Sequence, residues 1–181
     1  MTIGLFNNPA PYHLFIYSLA FGTNIFHSYI NAPILFKNLK REDFSHVTNL
    51  ILPKYFLAEA IVPLGLYLTS PVLYDPRLRK FSIILLGASS AFQFLNYFWL
   101  LPTVQKLKTS KLKLEAQLTA VIEENGDNSD EVKELKGELQ HMSKQFGKYH
   151  GMSLLLNMAN TISLTGYGFV LTNGLLRFIP K

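Results

Sequence analysis

Seven polar side chains inside otherwise apolar segments are the residues best placed to do chemistry in this chain. They are one carboxylic acid, one imidazole and five amides: Glu59, His27, Asn31, Gln93, Asn96, Asn157 and Asn160. A polar group that faces lipid without a partner is strongly unfavourable, so we expect these side chains to face one another inside a helix bundle. An ionisable residue within a membrane segment is by default a candidate functional residue.

The depth of these residues within their segments predicts a shared layer. Counted inward from one end of each segment, a first tier lies four or five residues in: Asn31, Glu59, Asn96 and Asn157. A second tier lies about eight or nine residues in: His27, Gln93, Asn160 and Thr161. The spacings 24-27-31, 93-96 and 157-160 place residues on single helix faces. The sequence therefore predicts a bundle with a polar interior in one half and an apolar interior in the other.

Two kinds of role fit such a layer. Amide side chains hydrogen-bond across membrane helices at roughly 0.6 kcal/mol on average, which fixes helix register. Alternatively, the layer lines a half-channel or vestibule, with Glu59 as its charge and His27 as a titratable neighbour. One Glu and one His do not make a metal site, and no Ser-His-Asp arrangement, P-loop or Gly-rich dinucleotide turn occurs. We therefore expect no enzyme activity, no metal and no cofactor.

The elements that must position these residues are membrane-length helices. The chain is 49% hydrophobic and only 16% charged, against roughly a quarter charged in soluble domains. Four apolar segments of about 20 residues would cover a hydrocarbon core of roughly 30 Å: residues 14–36, 55–73, 81–101 and 152–172. The expected fold is an all-α integral membrane four-helix bundle. The second segment, with Pro63 and Pro71, is expected to kink or end at a proline, and Pro102 to close the third.

Residues 102–149 differ in character from the apolar segments and predict a helical hairpin inserted between spans 3 and 4. They contain eight Lys and eight acidic residues. Apolar residues follow two heptad seams, one over 104–121 and one over 132–149, as in a coiled coil. Residues 124–129 have turn composition, and Asn128 with Glu131 has capping-box spacing. This antiparallel hairpin either links two spans or binds a protein partner.

Charge predicts the orientation of a four-span protein. The side that holds residues 37–54 and the hairpin carries 12 of the 17 basic residues, and the other side carries five, including Arg77, Arg79 and Lys80 in a predicted turn over residues 74–80. The positive-inside rule then places the hairpin in the cytosol and both termini on the far side. This orientation fails if residues 55–73 are re-entrant. The expected partners are the lipid bilayer and a protein at the hairpin, without nucleic acid, in an endomembrane such as the endoplasmic reticulum or in the plasma membrane.

Three phrases in the chain carry a family resemblance. Residues 145–157, QFGKYHGMSLLLN, supply Phe146, Lys148, His150, Gly151, Ser153 and Asn157; residues 52–56, LPKYF, supply Pro53, Tyr55 and Phe56; residues 96–103, NYFWLLPT, supply Asn96, Trp99 and Pro102. In spacing these resemble the transmembrane protein 205-like family of small four-span proteins. The chain departs from that family at Asn49, where a Gln is common. The resemblance implies the four-span topology and no established biochemical activity.

Two classes of function follow from these patterns. The first is a non-catalytic membrane scaffold that recognises another protein through the hairpin or a lateral face of the bundle. The second is a small transporter or channel that uses the polar layer.

Overall fold

The computed structural model describes residues 9–127 and 129–176, and all regular structure in these residues is helical. The described residues form four continuous helices, two of which contain a wider π-helical segment. Along the chain the elements are α1 (Pro9–Ile25), a π-helical segment (Phe26–Asn31), α2 (Ala32–Asn38), α3 (Arg41–Thr69), α4 (Pro76–Leu95), a second π-helical segment (Asn96–Leu100), α5 (Leu101–Asn125) and α6 (Asp130–Leu176). The predicted all-α class is confirmed.

Three of these helices are long and apolar enough to cross a membrane, which is typical of a membrane protein. They are Arg41–Thr69, Pro76–Glu124 and Asp130–Leu176, in a search limited to the residues that the structure describes. Large apolar side chains also cover the outside, with Phe15 64%, Leu68 77% and Phe169 74% exposed. Lipid is the solvent that suits such a surface. The four-span count, the membrane boundaries and the single-domain organisation remain predictions.

The prolines end these helices at one predicted place, next to Pro71, and not at another, Pro102. Helix α3 passes through Pro53 and Pro63 without ending, and its last residue, Thr69, precedes Pro71 by two positions. Pro102 does not close a helix, because α4, the second π-helical segment and α5 are continuous. Each π-helical segment ends two residues before a proline, Pro33 or Pro102. The backbone N–H of Ala32, which directly precedes Pro33, donates to the carbonyl oxygen of His27 five residues earlier, so the wider turn lies before the proline.

The start of α4 also lies earlier than the sequence predicts. A turn was expected over residues 74–80, whereas the helix begins at Pro76. Asp75 is its N-cap, and its Oδ1 accepts hydrogen bonds from the backbone N–H groups of Arg77 (2.8 Å) and Leu78 (3.1 Å). Proline at the first helical position suits this start because its missing N–H would have no helical partner there.

The chain divides into two compact units, of which the first contains α1 to α4 and the part of α6 that follows Leu155. Within it, α3 contacts α4, α1 and α2. Its buried apolar core draws on α3, the turn after it, α4 and α6: Leu66, Val72, Leu78, Leu86, Leu164, Tyr167 and Leu171. This core leaves the polar side chains of α1, α3, α4 and α6 to meet in a separate part of the same unit.

The second unit, Tyr97–Leu155, is a helical hairpin. Helix α5 ends at Asn125 and α6 begins at Asp130, and the Trp99 and Tyr149 rings lie 6.3 Å apart at the other end of the two arms. The Oγ of Ser129 accepts a hydrogen bond from the Val132 N–H (3.3 Å) and so caps α6. Asn128, predicted to be the cap, lies outside the described residues. The coiled-coil pairing of the arms and the cytosolic placement stay predictions.

Candidate functional site

Side chains from four helical segments meet in one hydrogen-bonded group, here called the polar cluster. Helix α1 and the π-helical segment after it contribute Asn24 and Ser28, α3 contributes Tyr55 and Glu59, and α4 contributes Ser89 and Gln93. Helix α6 completes the cluster with Asn157, Asn160 and Thr161. Spacings of three or four residues place each helix's members on one face, so the cluster follows from helix periodicity.

Glu59 is the acid of the polar cluster and is 5% exposed. Its Oε2 accepts hydrogen bonds from the Asn160 amide at 2.9 Å and from the Asn24 amide at 3.2 Å. The Asn160 carbonyl oxygen accepts a short hydrogen bond from the Ser89 hydroxyl. Among the described residues, no Lys or Arg side chain forms an ion pair with Glu59. Neutral donors from two other helices therefore satisfy Oε2 of the carboxyl group.

Asn157 and Tyr55 form the second centre of the polar cluster. The Asn157 carbonyl oxygen accepts from the Tyr55 hydroxyl (3.0 Å) and the Gln93 amide (2.9 Å). The Asn157 amide donates to the Ser28 hydroxyl (2.7 Å). Four segments of the chain thus meet at one amide side chain.

Asn24 connects the two centres of the polar cluster. Its amide donates to the Tyr55 hydroxyl at 2.9 Å as well as to Glu59, and its carbonyl oxygen accepts from the Thr161 hydroxyl at 2.6 Å. Asn24 is fully buried, and every hydrogen-bonding atom of its side chain is used. Asn24 therefore needs no partner from outside the cluster.

The remaining predicted residues lie at the edge of the polar cluster. The Asn96 amide donates to the Gln93 carbonyl oxygen at 3.1 Å. The His27 ring lies 4.3 Å from the Tyr55 ring, and the Asn31 amide lies 3.4 Å from the Nδ1 of His27. The structure therefore includes Glu59, Gln93, Asn157 and Asn160 in the polar cluster. Asn96 and His27 each contact one member of the cluster, and Asn31 reaches it only through His27.

The predicted tiers differ from the observed ones at Glu59. Glu59 was expected at the level of Asn157, but it contacts Asn160, one turn along α6, while Tyr55 takes the place beside Asn157. The depth of Glu59 was counted from Tyr55 as the start of a segment. Helix α3 begins at Arg41 instead, so Tyr55 is not the start of a helix, and a count from it does not give the level of Glu59 relative to α6.

Sequence reasoning missed three members of the polar cluster: Ser28, Tyr55 as a hydrogen-bonding residue, and Ser89. Serine and tyrosine are common in apolar helices, so their types alone gave no signal. Spacing could have found two of them. Ser28 lies four residues after Asn24, and Ser89 lies four before Gln93, on the faces already identified.

A second polar group lies at the opposite end of the first unit, where an apolar interior was expected. His13 is fully buried; its Nδ1 lies 2.9 Å from the Thr69 hydroxyl and its Nε2 2.7 Å from the Tyr167 hydroxyl. The Tyr167 hydroxyl is also 2.9 Å from that of Ser70. The prediction was wrong because His13 lies one residue outside the expected first span, and tyrosine hydroxyls were not counted.

The residues of the family resemblance are spread over both units. In the first unit Phe56 is buried and its ring lies 5.3 Å from that of Tyr55, while Pro53 lies one turn earlier in α3. In the second unit the Phe146 ring stacks on His150 at 5.5 Å. Three more, Pro102, Gly151 and Ser153, lie in α5 and α6 and are not members of the polar cluster.

The described residues contain no group of three or more His, Asp or Glu side chains that could hold a metal ion. The polar cluster has one acid and several amides and hydroxyls. Such a set can hold helices in register and can exchange a proton at one carboxyl group.

Comparison with known protein families shows to which family the chain belongs. Residues 15–113, more than half of its length, match the model of a domain of unknown function, DUF4149. The chain belongs to the DUF4149 family. The DUF4149 match includes the cluster residues of α1, α3 and α4, whereas those of α6 follow it.

A curated relative extends the similarity beyond the DUF4149 region. The Xanthocillin biosynthesis cluster protein D of Aspergillus fumigatus is 28% identical over 171 residues, which cover 94% of this chain and 93% of that protein. The alignment therefore includes the hairpin and α6. No solved structure matches the chain.

Proposed function

We propose that this protein is a four-span, non-catalytic membrane scaffold of the transmembrane protein 205-like type that binds a protein partner through its hairpin. The observation that carries the proposal is the polar cluster, in which side chains of four helical segments use one another's donors and acceptors. A cluster whose side chains pair largely with one another suits the joining of helices better than the binding of a solute, which needs unpaired groups.

The proposed fourth span is the helix over residues 9–38. Its polar residues Asn24, His27 and Asn31 lower its mean hydropathy, but Asn24 and His27 are buried. Most of its exposed residues are apolar, including Leu19 at 55% and Phe26 at 57% exposed. Its exposed polar residues are Ser18, whose hydroxyl donates to the Leu14 carbonyl oxygen, Thr23, and Lys37 and Asn38 at the helix end. A helix with its polar groups directed inward and an apolar outside is compatible with lipid.

The proposed orientation has a cytosolic hairpin, and an acceptor for N-glycosylation tests it. Asp127→Ser completes an Asn-Gly-Ser acceptor that begins at Asn125 in the hairpin turn, and a second form carries an acceptor in a tag before Met1. We expect the turn to stay unmodified and the tag to gain one glycan in microsomes, because 12 of 17 basic residues lie on the hairpin side. A glycosylated turn would reverse the proposed orientation.

The hairpin is the proposed partner-binding element. The name of the relative suggests small-molecule biosynthetic enzymes as a class of partner. Leu114 is 6% exposed inside the hairpin, so the double variant Leu114→Lys, Leu118→Lys should separate its arms. We expect affinity purification from gently solubilised membranes to recover the partner with the wild type and to lose at least about 90% of it with this variant, since charges in a buried seam are strongly unfavourable.

A matched control keeps the arms paired. Thr109→Lys with Thr119→Lys adds the same two charges to exposed positions of α5, and should retain the partner. Equal recovery by both double variants would contradict recognition through the hairpin. Loss by both would identify added charge, rather than hairpin structure, as the cause.

One observation favours a second function, proton-coupled transport. Glu59 is a buried carboxyl group whose partners are neutral amides, and such a group in a membrane can take up and release a proton. This function predicts that Glu59→Gln folds normally but loses activity.

A further inference from the structure

Charge in the second unit is strongly divided between its two ends. Residues 97–118 and 139–155, here called the hairpin base, contain six Lys and one Glu. Residues 119–138, here called the hairpin tip, contain seven acidic residues and two Lys. The formal charge is therefore +5 for the hairpin base and −5 for the hairpin tip. The two charges cancel, so the net charge of the whole hairpin does not show the division.

The aromatic pair Trp99 and Tyr149 marks the level at which both arms begin. Tryptophan and tyrosine prefer the interface between hydrocarbon and headgroups. At about 1.5 Å per residue, Lys148 lies at this level, Lys144 about 8 Å beyond it and Lys106 about 10 Å beyond it. With the reach of a lysine side chain, all three ammonium groups fall within or next to a headgroup layer.

The base and tip lysines have different surroundings. Lys106, Lys144 and Lys148 are exposed, and the only acidic residue of the base, Glu115, is 3.8 Å from Lys111. Both tip lysines instead form ion pairs, Lys133 with Asp130 at 2.8 Å and Lys136 with Asp127 at 2.7 Å. The tip lysines can therefore be compared with the base lysines in an experiment, because neighbouring carboxylates neutralise the charges of the tip lysines.

From this arrangement we infer that the hairpin base binds the headgroups of anionic phospholipids. Several lysines next to a membrane span attract acidic headgroups, and the attraction falls off within a Debye length of about 8–10 Å. The same surface repels the acidic tip, so lipid binding would be confined to the base. The inference rests on the proposed membrane location but not on the proposed protein partner.

Native mass spectrometry of the full-length protein in a neutral detergent tests this inference. Phosphatidylglycerol and phosphatidylcholine are added at equal concentrations, and the bound lipids are counted. We expect a preference for phosphatidylglycerol that declines with salt. The variant Lys106→Gln, Lys144→Gln should bind phosphatidylglycerol about 10–30-fold more weakly, because each juxtamembrane lysine contributes about fivefold in affinity.

Two control variants and one competitor make the test decisive. Lys106→Arg, Lys144→Arg keeps the charge and should bind as the wild type does. Lys133→Gln, Lys136→Gln removes two tip lysines and should leave binding within about twofold, because the intact base supplies the attraction. Equal losses in the base and tip variants, or no preference in the wild type, would overturn the inference. Competition by micromolar glycerol 3-phosphate would assign the site to soluble phosphates instead of lipid.

Discussion

Glu59→Leu is expected to destabilise the protein by about 2–6 kcal/mol, whereas Glu59→Gln should change its stability by less than about 1 kcal/mol. Leucine leaves the amides of Asn24 and Asn160 without their acceptor, at about 1–3 kcal/mol for each stranded group. Glutamine keeps an acceptor oxygen in the same place. Heating the variants in detergent and following the monodisperse fraction by size exclusion measures the difference.

Glu138→Leu provides the control for this comparison. Glu138 is exposed on α6, so the same chemical change there should leave the thermal transition within error of the wild type. If Glu59→Leu were as stable as this control, the polar cluster would not be holding the helices together, and the scaffold proposal would lose its main support. A stable Glu59→Gln protein that fails in a transport assay would favour proton coupling.

Gly174→Ala is expected to destabilise the first unit by about 1–3 kcal/mol. A Cβ atom at Gly174 would overlap the Cγ1 of Val72 and approach the Cδ1 of Leu78. Val72 is 3% exposed and β-branched, so it has little freedom to move aside. Thermal unfolding of the purified variant measures the loss.

Two further variants separate this clash from a general effect of removing glycine. A Cβ atom at Gly87 meets nothing within 4 Å, so Gly87→Ala should be neutral or slightly stabilising, since alanine favours a helix more than glycine does. Adding Val72→Ala to Gly174→Ala should recover part of the loss, because it makes room for the new methyl group. No recovery in the double variant would contradict the predicted contact.

The helical class and several members of the polar cluster could be predicted from the sequence alone. Polar residues in apolar helices have few partners other than one another, so Glu59, Gln93, Asn157 and Asn160 could be expected to converge. Their helical spacing indicated the faces involved. What pattern alone could not supply was the exact level of Glu59, because that depends on how α3 packs against α6 and α1.

Other features depend on contacts between residues distant in sequence. Nothing local to His13 indicates that Thr69 and Tyr167 will enclose it, because those partners are 56 and 154 positions away. The two π-helical segments were not predicted, since a proline in an apolar run can also end a helix or kink it. Asp75 could have been predicted as an N-cap from Asp-Pro followed by an apolar run.

The two π-helical segments bear on how relatives of this chain are to be aligned. A π turn holds one residue more than the α turn it replaces, so the helix beyond it is rotated by about 100° relative to an uninterrupted α-helix. A relative can lack both the proline at position 33 or 102 and the π turn before it. Its sequence would then align with a gap of one residue within 26–31 or 96–100, and its helix would continue without interruption. Leaving this gap out of the alignment would displace every later residue by one position and assign it to the wrong helix face.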